Sequence, residues 1–200
     1  MMGKTARAAL AVASAALLLL FVLPLWHIRL IAPQYPEGLG LHIYVNTVQG
    51  VQPNDLQNIN ELNHYVGMRE ITPAAIPELH FMPWVVVVLA LLGLAAAAIG
   101  RRPLVYAWGA LLLVAAGLGL YDFWRWEYTY GHDLSPTAII KVPGMAYQPP
   151  LIGSKQLLNF NATSLPDVGG WIAIFVALLG VALVVWEAMG EPHRRRGAHA

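Results

Sequence analysis

The chain has 200 residues, 58% of them hydrophobic and 12% charged, with a formal net charge of +1 and no cysteine. So apolar and weakly charged a chain fits one membrane domain and offers no basic surface for nucleic acid. The missing thiols exclude disulfides, Cys nucleophiles, thiolate metal sites, Cys-ligated iron–sulfur clusters, lipoprotein attachment and covalent haem attachment.

Four apolar stretches stand out, at residues 8–26, 83–100, 103–122 and 170–188. Each is about long enough to cross ~30 Å of hydrocarbon as a helix. Lys4 and Arg7 precede the first, Arg101 and Arg102 separate the second from the third, and Arg194–Arg196 follow the fourth. The positive-inside rule then predicts a multi-pass membrane protein. Both termini and the Arg101-Arg102 turn would be cytoplasmic, and residues 27–82 and 123–169 would be outside. Arg194–Arg196 read as an anchor beside anionic membrane lipid. The first apolar run is longer than a signal-peptide core and no A-x-A-like site follows it, so an uncleaved signal anchor is expected. Pro24 should bend or end that helix.

Residues 27–82 open with Pro33, Pro36, Gly38 and Gly40. Leu41–Val48 reads as a short strand. Asn54 or Asp55 can cap a helix running to about Val66, with Leu56, Ile59, Leu62 or Asn63, and Val66 on its apolar face and Gly67 as its stop. Ile71–Met82 carries Pro73 and Pro77 and should be extended. The second and third apolar stretches form a hairpin around Arg101-Arg102-Pro103. Small residues recur in both, including Gly93, Ala95–Ala98 and Ala115–Gly117, and permit close helix packing. None of the four stretches has a charge at its centre, which argues against ion pumps, proton channels and voltage sensors. Trp84 and Trp171 read as interfacial belt residues.

Residues 123–169 contain Pro136, Pro143, Pro149, Pro150 and Pro166 with an apolar, aromatic composition. A long loop of this kind is usually functional or held by a partner. The fold expected from these readings is an all-α integral membrane protein. It has four transmembrane helices and two long, mostly irregular outer (periplasmic) segments.

Five of the seven histidines fall in the outer segments: His27, His42, His64, His80 and His132. Imidazole and thioether without thiolate suit copper, especially Cu(I). His64 and Met68 form the densest such pair, with His80 and Met82 close in sequence. The plainer reading is that His64 packs or caps a short helix and Met68 fills an apolar gap. Asp122, Arg125, Glu127, His132 and Asp133 cluster where the third helix emerges. They could receive a quinol head group or simply form an interfacial salt bridge within an aromatic belt.

Two stretches carry a resemblance. One is Asn58-Ile59-Asn60-Glu61-Leu62-Asn63-His64-Tyr65-Val66-Gly67-Met68. The other runs Tyr121-Asp122-Phe123-Trp124-Arg125-Trp126-Glu127-Tyr128, then Lys141-Val142-Pro143-Gly144-Met145, then Gln148-Pro149-Pro150-Leu151-Ile152-Gly153. Together they resemble small four-helix membrane proteins encoded in bacterial nitrous-oxide-reductase gene clusters, of the Sec-exported enzyme type. The resemblance implies a non-enzymatic accessory or anchor that docks a periplasmic copper oxidoreductase or its maturation machinery. It carries over no catalytic residue. Tyr65, Trp124, Trp126, Tyr128 and Tyr147 are the expected partner-binding anchors, because interface centres favour aromatics. Two other functions stay open: a Cu(I)-handling protein using outer His and Met residues, and a quinol-interacting subunit.

Overall fold

The computed structural model describes residues 1–196, with side chains through Met189. The side chains of Arg194–Arg196 lie outside the described residues. Four helices are long and apolar enough to cross a membrane. The first is α1 (Lys4–Ala16), extended by a 3-10 turn over Leu17–Phe21. The others are α3 (Glu78–Ile99), α4 (Arg102–His132) and α5 (Val168–Arg196). Helix α2 (Asp55–Val66) is short and amphipathic.

The expectation of an all-α fold is overturned. The two long segments fold together into a five-stranded antiparallel sheet of order β3-β2-β1-β5-β4. Strands β1 (Trp26–Ala32), β2 (Tyr35–Ile43) and β3 (Val48–Gly50) come from the first segment. The second segment supplies β4 (Gly153–Leu157) and β5 (Phe160–Pro166). Strand β1 is central, pairing with β2 on one side and β5 on the other. The β1–β5 pairs join residues 130 to 140 positions apart, such as Ile28 and Ser164. No local periodicity can announce such pairing. Strands β2, β4 and β5 also carry Gly, Pro, Ser, Lys and Asn where strand propensity asks for β-branched and aromatic residues.

Finer expectations also shift. The single strand expected over Leu41–Val48 is a hairpin: Tyr44 donates its N–H to the Thr47 carbonyl at 2.8 Å, and β3 returns along β2. Glu78–Met82 are helical instead of extended, so Pro83 lies inside α3. The aromatic run after Asp122 continues α4 by nearly three turns. Helix α2 forms where its pattern places it and ends at Gly67, whose φ of 82° is left-handed. The Asp55 carboxylate then ties α2 to the sheet, accepting the N–H groups of Gly40 at 2.9 Å and Gln52 at 3.1 Å.

Two apolar cores result. One lies among the four long helices, around Leu10, Ala90, Val105, Trp108 and Val176. The other lies between one sheet face, α2 and the last turns of α4, around Ile28, Leu41, Ile59 and Tyr130. Alternation along β1 explains the second: Trp26, Ile28 and Leu30 point into this core, while His27, Arg29 and Ile31 point the other way.

The seam between head and bundle is tight. Gly169 donates its N–H to the Pro24 carbonyl at 2.9 Å, and Asp167 donates to the Leu25 carbonyl at 3.1 Å. A Cβ on Gly170 would sit 2.2 Å from the Leu25 oxygen. At the far end of the bundle, Arg7 donates to the carbonyls of Ala97 and Ala98, and Met2 to that of Gly100. Arg102 pairs there with the buried Glu187 at 2.7 Å.

Candidate functional site

The head carries three features that could do chemistry or recognition. The first is a cavity of about 70 Å³ in the head core, lined by Ile28, Leu41, Ile59, Met68, Glu127 and Tyr147 among others. Glu127 is completely buried, and neither carboxyl oxygen has a hydrogen-bond partner among the described residues. The Tyr147 hydroxyl is buried and unpartnered in the same way. Helix α4 has 31 residues, roughly 46 Å at 1.5 Å per residue, so it overshoots ~30 Å of hydrocarbon. Glu127 stands about 37 Å along α4 at 1.5 Å per residue and packs under the sheet. Loss of hydration disfavours its charged form and pushes its pKa up to about 8. Burial therefore favours the neutral carboxylic acid. An engineered apolar cavity that admits benzene measures about 150 Å³. This one is half that size, too small for a quinol ring unless the core opens.

The second feature is a ladder of exposed rings up one side of α4. Tyr121 meets Trp124 with centroids 6.0 Å apart, Trp124 meets Tyr128 at 5.5 Å, and Tyr128 stacks on His132 at 4.0 Å and 18°. Spacings of three and four residues put all four on one helix face. Trp124 and Tyr128 are 40% and 45% exposed. Chain beyond the ladder adds apolar surface: Ile140 donates its N–H to the Tyr65 carbonyl at 2.8 Å, leaving Tyr65, Ile139 and Ile140 exposed together.

The third feature sits on the opposite sheet face. His27 of β1 and His42 of β2 are register partners, so their side chains project together. Their rings meet edge to face, centroids 5.1 Å apart. His42 Nε2 lies 3.3 Å from Asp167 Oδ2, where β5 passes into α5. Burial lowers the His27 pKa and the neighbouring His42 lowers it further, against the opposing pull of Asp167.

No protein-family model matches this chain, and neither does any curated protein. Its site must be argued from its own residues.

The structure separates several of the residues singled out by sequence. His64 is exposed at the end of α2, whereas Met68 turns inward to line the cavity. Gly67 makes that turn, and Met68 N–H closes it on the Asn63 carbonyl at 2.9 Å. Trp126 is packed between Phe123 and Tyr130, with centroids at 6.1 and 4.6 Å, and Tyr147 is only 2% exposed. Of the five expected anchors, Tyr65, Trp124 and Tyr128 thus face outward, and Trp126 and Tyr147 serve the core. The charged cluster is likewise dispersed: Asp133 pairs with Arg69, Glu127 turns inward, and His132 joins the ladder. Sequence reading missed the joint placement of His27, His42 and Asp167. The available signal was the matched alternation of Trp26/Ile28/Leu30 and Leu39/Leu41/Ile43 about a turn at Pro33-Gln34, which sets both histidines on one face.

Proposed function

We propose that this chain is a non-enzymatic membrane accessory protein whose head docks a partner outside the bilayer. The helices cross a bacterial inner membrane with both termini in the cytoplasm, and the head lies in the periplasm. Lys4, Arg7, Arg101 and Arg102 gather at the bundle end away from the sheet, as the positive-inside rule requires for this orientation. The resemblance to proteins of nitrous-oxide-reductase gene clusters favours a periplasmic copper oxidoreductase, or its maturation machinery, as the partner.

The observation that carries this reading is the exposed aromatic ladder of α4. A membrane belt explains Tyr121 and Trp124, which sit near the end of the span. It does not explain Tyr128 and His132, about 6 Å and 12 Å beyond Trp124 along the helix at 1.5 Å per residue. Exposed rings at that height have the composition of an interface centre, and Tyr65, Ile139 and Ile140 add exposed apolar surface elsewhere on the head.

The test is co-purification after mild solubilisation of native membranes. Changing Trp124 and Tyr128 together to Ala should leave the protein inserted and release its partner, since each hot-spot ring is worth about 2 kcal/mol. Undiminished co-purification at normal membrane levels would reduce the ladder to lipid anchoring.

A further inference from the structure

The sheet face away from the head core holds a ligand set that the docking reading does not use. His27, His42 and Asp167 each offer one donor atom, and all three atoms lie within 4.8 Å of one another. We propose that these residues bind one divalent transition-metal ion of the zinc and copper(II) class.

The geometry argues for more than an ion pair. A His42–Asp167 contact by itself would satisfy both groups, and many half-buried pairs do only that. Here a second imidazole brings a ring nitrogen within 4.8 Å of both, and its Nε2 is buried with no hydrogen-bond partner among the described residues. A buried lone pair or N–H without a partner costs free energy, so it calls for a specific explanation. Metal–nitrogen and metal–oxygen bonds of ~2.0–2.1 Å in a tetrahedron put neighbouring donors ~3.3 Å apart. His42 Nε2 and Asp167 Oδ2 already stand at 3.3 Å. The His27 donor stands within 4.8 Å of both.

The backbone holds the three ligands in place without help from an ion. His27 is paired on both sides, to His42 in β2 and to Leu165 in β5. Asp167 is fixed to Leu25, two residues before His27, by its backbone N–H, and its other carboxylate oxygen accepts the Val168 N–H at 2.6 Å. Gly169 and Gly170 press against the Pro24 and Leu25 carbonyls, where a side chain would force the strands and α5 apart. The nearby Arg29 guanidinium is directed elsewhere, donating to the Glu37 carbonyl at 2.7 Å. Such prior fixation is what a metal site requires of its scaffold.

Donor chemistry sets the class of ion. Two imidazoles and a carboxylate suit zinc, copper(II) and iron(II), whereas an all-oxygen set would suit calcium or magnesium. Three protein ligands leave a fourth position open in a tetrahedral site. His42 and Asp167 remain 26% and 18% exposed, so that position can be reached from outside the protein.

The experiment uses the full chain in nanodiscs, stripped with chelator and re-equilibrated with Zn(II) or Cu(II). The expected result is one Zn(II) per chain after gel filtration, and a Cu(II) electron paramagnetic resonance spectrum with two coordinated imidazole nitrogens. Loss of a metal's second-shell partner costs 10–100-fold, so removing a ligand should weaken binding by about 100-fold or more. His27→Ala and His42→Ala should each do so, and Asp167→Asn should weaken binding by about 10-fold. His64→Ala should leave affinity unchanged. The nitrogen count is read on the unaltered chain, so it stands even where a variant fails to fold. A wild-type spectrum without two imidazole nitrogens, absence of binding, or full affinity retained by a folded His42→Ala variant would each overturn the proposal.

Discussion

The bundle and the head solve opposite problems with the same chain. The four long helices are apolar enough to cross a bilayer, where lipid is as apolar as leucine, so burial of leucine gives little and close approach gives most. Gly93 lets Ser14 and Trp108 meet α3: a Cβ there would lie 2.0 Å from Ser14 Oγ and 2.6 Å from Trp108 Nε1. The buried polar atoms of this region find backbone partners, Trp108 Nε1 at the Leu89 carbonyl and Ser14 Oγ at the Leu10 carbonyl. Large apolar side chains such as Leu91, Val114, Leu118 and Phe175 stay on the outside. The head inverts this arrangement. Leu41, Ile28 and Ile59 are driven inward as in a water-soluble domain, while the unpartnered carboxyl of Glu127 and the His27–His42 pair are retained. Polar groups left unsatisfied mark where a fold keeps something besides stability.

The largest expected effect tests whether the head has a core of its own. Leu41→Ala removes a side chain that is 2% exposed, at a cost of about 3 kcal/mol. Hydrogen exchange should rise across β1, β2 and β5, while α3 and α4 within the span keep their protection. Equal loss of protection in the bundle would show that the two regions unfold as one.

A smaller effect, about 2 kcal/mol, is expected for Gly93→Val, through overpacking against Ser14 and Trp108. Cross-linking between α1 and α3 should weaken, and the head should retain its exchange protection.

A pH-dependent change sharpens the contrast further. Burial raises the Glu127 pKa to about 8, so the folded state holds a proton that the unfolded state releases near the ordinary value of 4.5. The stability tied to this group is fully present below that value and is lost as pH rises toward about 8. Glu127→Gln should remove this slope. The variant should melt about 10 °C above wild type at pH 8 and converge with it near pH 4. Thermal unfolding of the solubilised protein across that pH range reads the difference directly; parallel curves would place the titration elsewhere.

Sequence by itself determined the bundle. Runs of apolar residues report their environment locally, and Arg101-Arg102 at a tight turn reports a hairpin. Helix α2 was equally legible, because its apolar spacing and its terminal Gly67 act within a dozen residues. Tertiary structure alone decided the head. Strand β1 is made a strand by Ala162 and Ser164, far along the chain, and Gly38, Gly40 and Pro36 in β2 obscure any local signal. The same long-range pairing decided which side chains can act together. His64 and Met68 are neighbours in sequence that a left-handed glycine turns apart. His27, His42 and Asp167 are strangers in sequence that strand register and the close Gly169–Gly170 seam bring within reach of one another. Hydrophobic periodicity is a property of a segment, whereas a site is a property of pairings between segments, and only folding writes those.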